Sequence, residues 1–109
     1  MENKTTQPKP INKGIVVFNL IQSYLDRVKD KSYNSEVLEQ LFQRYEFGLL
    51  KYGQPLMSDD GRDSIQDINE ELLDAIQYTI KAKYNKCDLS TIKKTLYILN
   101  EIVEMDFHA

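Results

Sequence analysis

Residues 63–84 read DSIQDINEELLDAIQYTIKAKY, and this stretch decides the fold class. Apolar or small side chains recur in it at three- and four-residue steps, the period of an α-helix with one apolar side. These positions are Ile65, Ile68, Leu72, Ala75, Ile76 and Thr79. Asp63 or Ser64 is suited to begin such a helix. The pattern therefore predicts a helix that runs to about Tyr84.

Upstream of this stretch, the same period predicts two more helices. The first has an apolar side at Val17, Leu20, Ile21, Tyr24, Leu25 and Val28, although the β-branched residues 15–17 could instead begin a strand. The second carries Leu38, Leu41, Phe42, Tyr45 and Leu49. Asn34 or Ser35 is a good first cap for the second helix, and Gly53 followed by Pro55 is a normal helix end. Residues 54–62 then form a loop.

Downstream, a fourth helix is predicted after a break at residues 85–87. Ser90 or Thr91 caps it, its apolar positions are Ile92, Leu96, Leu99 and Val103, and it frays near Phe107. Four amphipathic segments with short links predict an all-α four-helix bundle. Residues 1–13 are polar and lack periodicity, so we expect a flexible N-terminal tail before a single helical domain over 14–109.

Composition excludes several classes of function. Fourteen Lys and Arg against 17 Asp and Glu give a net charge of -3, which argues against a non-specific nucleic-acid binder. No apolar run is long enough for a membrane span, and no signal peptide is visible, so we expect a cytoplasmic protein. The single Cys87 and the single His108 exclude an internal disulfide, a multi-cysteine metal site and a histidine cluster.

The third helix carries the densest chemical signal, five acids that fall within an arc of roughly 100°: Asp63, Asp67, Glu70, Glu71 and Asp74. One interpretation is a solvated face, favoured by acids near a helix N-terminus. The other is a divalent-cation site, because Mg²⁺ prefers carboxylate oxygens. Glu71 and Asp74 project from adjacent turns on one side. The sequence leaves both interpretations open.

A second signal lies on the preceding helix. Arg44 and Lys51 are seven residues apart and therefore share one face. Such a pair can supply positive charge to a polyphosphate, although an ordinary helix surface is also consistent with it. Tyr52 and Tyr78 are candidates to stack on a base.

Residues 44–78 read RYEFGLLKYGQPLMSDDGRDSIQDINEELLDAIQY. This segment resembles the small phage and bacterial proteins of the all-α nucleoside triphosphate pyrophosphatase superfamily, the MazG-like group. The resemblance rests on the order Lys-Tyr-Gly, loop, Glu-Glu-Leu-x-Asp-Ala-x-x-Tyr, the last element being residues 70–78 here. It covers about a third of the chain closely.

The resemblance implies a helical core that forms dimers or tetramers and an Mg²⁺-dependent reaction. Water adds to the bridge between the α- and β-phosphates of a nucleoside triphosphate, which gives a monophosphate and pyrophosphate. Glu71 and Asp74 would be the metal pair, and Glu70 or Asp67 an auxiliary ligand or base. Arg44 and Lys51 would bind the phosphates.

The sequence departs from the family pattern at two points. Typical members have a Glu-x-x-Glu pair on the preceding helix, and the nearest pair here, Glu36 and Glu39, lies farther from Glu71 than usual. The lysine common three residues before the metal glutamate is replaced by Ile68. These departures keep two alternatives open: a relative that binds or sequesters a nucleotide without hydrolysing it, and a module that binds another protein.

The breadth of the apolar stripes predicts a homo-oligomer. Apolar residues beyond one face widen the stripes of the second, third and fourth helices: Leu49, Leu50, Leu72, Leu73, Ile80 and Ile98. Helices that are apolar on more than one face commonly pack against a second subunit. The expected partners are therefore a nucleotide and further copies of the chain, with no nucleic acid and no membrane.

Overall fold

A computed structural model describes residues 7–107, so residues 1–6, His108 and Ala109 lie outside the described part of the chain. The described residues form four α-helices and no β-strand, which confirms the all-α prediction. The helices are α1 (Ile21–Leu25), α2 (Asn34–Tyr52), α3 (Ser64–Tyr84) and α4 (Ser90–Val103). Short 3-10 helices, Val17–Leu20 and Lys31–Tyr33, lead into α1 and α2. None of the helices within 7–107 is long and apolar enough to cross a lipid bilayer.

The apolar core is built by α1, α2 and α4. Leu25 and Val28 are almost fully buried and pack with Val37 of α2 and Ile98 of α4. The rings of Tyr33 and Tyr97 meet edge to face at 5.6 Å over this core. The hydroxyl of Tyr97 accepts a hydrogen bond of 2.9 Å from the backbone N–H of Asp30. The core therefore joins the N-terminal and C-terminal helices of the chain.

The first predicted helix is much shorter than its apolar stripe. Residues 15–17 pair with the loop after α2: the backbone N–H of Val17 donates to Leu56 O, and Val16 forms an isolated antiparallel bridge with Met57. Because the chain enters in this extended form, the α-helix begins only after the 3-10 helix Val17–Leu20. Beyond Leu25 the N–H groups of Arg27 and Val28 bond to carbonyls only three residues back, so the helix ends there.

The residues at which α2 and α3 end agree with the predictions, whereas only one of the predicted capping residues does. Asp63 caps α3, its carboxylate accepting the N–H of Gln66, and Gly53 ends α2 at φ 73°, a left-handed conformation that favours glycine. The predicted caps of α2 and α4 are wrong. The carboxylate of Asp30 instead caps the 3-10 turn before α2, while Asn34 donates its side-chain amide to Leu25 O at 2.8 Å. Ahead of α4, Asp88 accepts the N–H of Ser90.

Residues 7–17, here named the strap, run antiparallel to loop residues 56–60. The N–H of Ile11 donates to Asp60 O, the N–H of Asp59 to Lys13 O, and the N–H of Ser58 to Ile15 O, at 2.8–3.0 Å. Residues 7–13, which we expected in a flexible tail, thus take part in this pairing. The strap holds the loop that leads into α3.

Gly48 and Gly53 allow a matched test of where α2 ends. Gly48 lies inside the helix and Gly53 ends it, and a Cβ at either position would meet no atom within 4 Å. Gly53→Ala should lower the free energy of unfolding by roughly 1 kcal/mol because alanine disfavours positive φ. Gly48→Ala should raise it by about 0.5–1 kcal/mol through helix propensity. Urea denaturation of both variants measures the difference, and two effects of the same sign would contradict this assignment of the helix end.

The cap at Asp30 predicts a pH effect. Its carboxylate accepts hydrogen bonds from the hydroxyl and the N–H of Ser32, and these bonds hold the pKa of Asp30 below its ordinary value of 3.8. The charged form is favoured, so the stabilisation is complete above about pH 4 and is lost as the pH falls through the lowered pKa.

Ser32→Ala should therefore raise the pKa of Asp30 towards 3.8 in a carboxyl-carbon NMR titration. The pKa of Asp88, lowered chiefly by the backbone N–H of Ser90, is the internal control and should not move. An unchanged pKa for Asp30 would show that the hydroxyl contributes nothing.

Candidate functional site

The acidic strip lies on α3, and its orientation is the reverse of that of an ordinary surface helix. Gln66, Asp67, Glu70 and Asp74 are half-buried. No residue of Ser64–Tyr84 is fully buried, and the apolar side of the helix is exposed. Asp67, Glu70 and Asp74 are therefore turned towards the rest of the chain, whereas Asp63 and Glu71 are exposed. The sequence located both faces of the helix. The solvated interpretation fits the exposed Asp63 and Glu71, and the half-buried Asp67, Glu70 and Asp74 depart from it.

Glu70 has the most unusual surroundings of these acids. One carboxylate oxygen, Oε2, accepts a hydrogen bond of 3.3 Å from the side-chain amide of Gln66, one turn earlier. The other, Oε1, is buried and has no hydrogen-bond partner. A carboxylate oxygen shielded from water and left unpaired is costly. The oxygen is thus suited to a proton, a water molecule or a cation.

Asp67, in contrast, is engaged in holding the structure together. Arg62 donates to both of its carboxylate oxygens, from Nε at 3.1 Å and from Nη2 at 2.8 Å. The side-chain amide of Gln7 donates to Oδ1 as well, at 2.9 Å. Because three donors occupy this carboxylate, Asp67 is a positioning residue, and the prediction that it serves as a base or auxiliary ligand is not supported by its contacts.

Arg62 and Gln7 connect α3 to the strap. Arg62 Nη1 donates to Pro8 O at 2.8 Å, and the Gln7 side chain bonds both the N–H and the C=O of Asp63. The hydrogen bond to Asp67 raises the pKa of Arg62 above its ordinary range, and the negative charges of Asp60 and Glu70 add to that shift. We name this cluster of Gln7, Pro8, Arg62, Asp63 and Asp67 the clamp.

The remaining predicted metal ligands are dispersed. Glu71 is exposed and Asp74 is half-buried on α3. Glu36 of α2 forms a salt bridge of 2.9 Å with Lys94 of α4, and Glu39 lines an open groove of about 480 Å³ beside Phe18 and Phe42. Within residues 7–107 no three His, Cys, Asp or Glu side chains are grouped so that they could hold a metal ion. The acids of α2 and α3 therefore do not form one cluster.

Three of the predicted nucleotide-binding residues, Arg44, Lys51 and Tyr52, form a basic and aromatic patch on the C-terminal half of α2. Arg44 lies 4.7 Å from the ring centre of Phe47, and the amine of Lys51 lies 5.9 Å from the same ring and 5.2 Å from the ring of Tyr52. Arg44 and Lys51 do share a face, as the seven-residue spacing predicts. The sequence analysis missed Phe47, although its spacing of three and four residues from the two cations signals the contact.

The aromatic members of this set are accessible to a ligand. Tyr52 is 66% exposed, and Tyr78 of α3 is 62% exposed. Two cations held against an exposed ring present both positive charge and a flat apolar surface, which suit the phosphates and base of a nucleotide.

Comparison of the chain with protein-family models, with curated proteins and with solved structures finds no match.

The clamp predicts that Arg62→Ala weakens the protection of nearby backbone amides against hydrogen exchange. Arg62→Ala removes the donors to Asp67 and Pro8. The amides of residues 56–67 should therefore exchange with deuterium several-fold faster, while those around Leu25 and Ile98 keep their protection. Lys94→Ala, which breaks the exposed bridge to Glu36, is the matched control. Unchanged exchange over 56–67 in Arg62→Ala would show that the clamp does not hold α3.

Proposed function

We propose that this protein is an Mg²⁺-dependent nucleoside triphosphate pyrophosphohydrolase of the MazG-like type. The observation that carries the proposal is the half-buried group of Asp67, Glu70 and Asp74 on α3, with the buried and unpaired Oε1 of Glu70 at its centre. A helix that only needed a solvated acidic face would expose these side chains and bury its apolar ones. The opposite arrangement supports a ligand for the acids.

The donor set fits Mg²⁺. Glu71 and Asp74 offer carboxylate oxygens within one turn of one helix. Mg²⁺ is commonly bound by one or two protein carboxylates together with waters and substrate phosphates, so a cage of three acids is not required. When bound, the ion neutralises charge on the phosphates. Glu36 and Glu39, which contact α4 and an open groove, are weaker candidates for this set.

The protein groups have separate roles in the proposed reaction. Arg44 and Lys51 hold the phosphates by charge, and Tyr52 or Tyr78 stacks on the base. Glu70 accepts the proton of the attacking water. The water oxygen bonds to phosphorus at one side of the α–β bridge, and the bridging oxygen leaves with the other phosphate group, which gives a nucleoside monophosphate and pyrophosphate. Asp67 positions the strip through the clamp.

A second candidate is a protein on the same fold that binds a nucleotide without hydrolysing it. The patch of Arg44, Phe47, Lys51 and Tyr52 favours this candidate, because its cation–ring contacts require no metal ion. In either case we propose action in the cytoplasm of a bacterium or a phage-infected host, as a homo-oligomer. Dependence of turnover on Mg²⁺ separates the two functions.

The test is a panel in which each NTP and dNTP is incubated with the protein, with and without Mg²⁺. We expect release of monophosphate and pyrophosphate that requires the ion. Glu70→Gln should lower the rate about 10²–10⁴-fold by removing the base. Glu104→Gln, at the exposed end of α4, is the matched control and should keep the wild-type rate.

Two results would overturn the enzyme proposal: no release from any triphosphate, or equal rates for wild type and Glu70→Gln. A rise in melting temperature with a triphosphate but no turnover would support the binding protein instead. A ligand at 100 times its dissociation constant adds about 2.7 kcal/mol to the free energy of unfolding, which such an experiment detects readily.

A further inference from the structure

An open groove of about 480 Å³ lies where the first helical segment of the chain crosses the N-terminal half of α2. Its volume falls within the range of about 300–1,000 Å³ that is usual for sites of small organic molecules. We name it the α1–α2 groove, and the residues that line it are Phe18, Asn19, Gln22, Ser35, Leu38, Glu39 and Phe42. These residues combine aromatic rings with polar side chains, which is the mixture that recognises a specific small molecule.

Aromatic rings form the apolar part of the groove. The ring of Phe18 stacks on Tyr45 with 4.7 Å between the ring centres, and its centre lies 5.8 Å from that of Phe42. The stack holds Phe18 in one orientation, while Phe42 is 44% exposed at the groove. An accessible ring attracts both a second flat ring and a positive charge.

The polar part of the groove offers acceptors of hydrogen bonds. Glu39 is the one charged residue in the lining, and no cation within residues 7–107 pairs with it. Lys94 of α4 pairs with Glu36, one turn earlier on α2. Gln22 donates its side-chain amide to Asp26 at 2.8 Å, which leaves its own carbonyl oxygen as an acceptor. An ammonium group has three donors and no acceptor, so it is the complement of this set.

We propose that the α1–α2 groove binds a small organic cation in which a primary ammonium group is joined to a flat ring. The ring lies against Phe42 and Phe18, and the ammonium group donates to the carboxylate of Glu39. The negative charge of the groove selects this ligand over a nucleotide, because a phosphate beside Glu39 would be repelled.

This site is separate from the basic and aromatic patch of α2. Phe42 and Lys51 are nine residues apart, which sets them on opposite sides of the helix, roughly 180° from each other. Arg44 lies on the side of Lys51. One side of α2 therefore suits an anion and the other a cation, and the proposal does not rest on the proposed nucleotide chemistry.

The first experiment titrates phenethylamine, benzylamine and tryptamine into the isotope-labelled full chain and follows the backbone amides by NMR. We expect shifts confined to residues 18–22 and 35–42. Phenethyl alcohol has the same ring and chain without the charge, and it should bind about 10-fold more weakly than phenethylamine. Butylamine keeps the ammonium group without a ring and should also bind several-fold more weakly.

The second experiment repeats the phenethylamine titration with variants. Glu39→Gln should weaken binding about 10-fold by removing the charge. Glu46→Gln makes the same change outside the groove, about 10 Å along α2, and is the matched control. It should keep the wild-type affinity, because salt screens a charge at that distance. Phe42→Leu keeps an apolar side chain without the ring and should weaken binding about 3–10-fold. Circular dichroism checks that each variant keeps its helices.

Four results would overturn the proposal. The first is the absence of shifts at millimolar concentrations of all three ring-bearing amines, and the second is shifts located elsewhere on the chain. The third is equal binding of the amine and the alcohol, which would assign an uncharged apolar occupant. The fourth is an unchanged affinity in Glu39→Gln. Nucleotide turnover is measured separately, so loss of amine binding and loss of catalysis are independent results.

Discussion

The contact between Arg62 and Asp67 sets the orientation of α3, and the rest of the candidate site depends on that orientation. The guanidinium bonds both oxygens of the carboxylate, a geometry that fixes direction as well as distance. Through Pro8 and Gln7 the same pair attaches the strap to the first turn of the helix. A local ion pair thus determines that the acids of α3 face the chain and that its isoleucines face outwards.

The features that depend on local periodicity, such as the helix ends, could be predicted from the sequence. The features that depend on contacts between distant segments, such as the strap, could not. Both ends of α3 and the end of α2 at Gly53 follow from apolar spacing, a capping carboxylate and a glycine. The strap does not, because residues 7–17 pair with loop residues some 45 positions later and neither segment has a repeating pattern. Periodicity located the two faces of α3, but it carries no information on which face the chain covers.

The same limit applies to the candidate site. The spacing of Arg44 and Lys51 correctly placed both cations on one face, because helix geometry alone decides it. The grouping of Glu36 and Glu39 with the α3 acids required knowledge of how α2 and α3 pack, and the described residues show no such group. Asp67 and Glu70, three residues apart and chemically alike, differ only in their neighbours. Three donors engage the first, whereas one oxygen of the second has none.

The exposed apolar side chains and the half-buried acids of α3 are two consequences of one orientation of the helix. Most helices in proteins gain their stability by burying an apolar side rather than from the intrinsic helix propensity of their residues. In a single copy α3 buries no residue fully and buries acids in part, so its packing within the chain contributes little and its acids add a desolvation cost. The same orientation buries Oε1 of Glu70 without a hydrogen-bond partner, so the cost of this packing falls on the residue whose carboxylate is least satisfied.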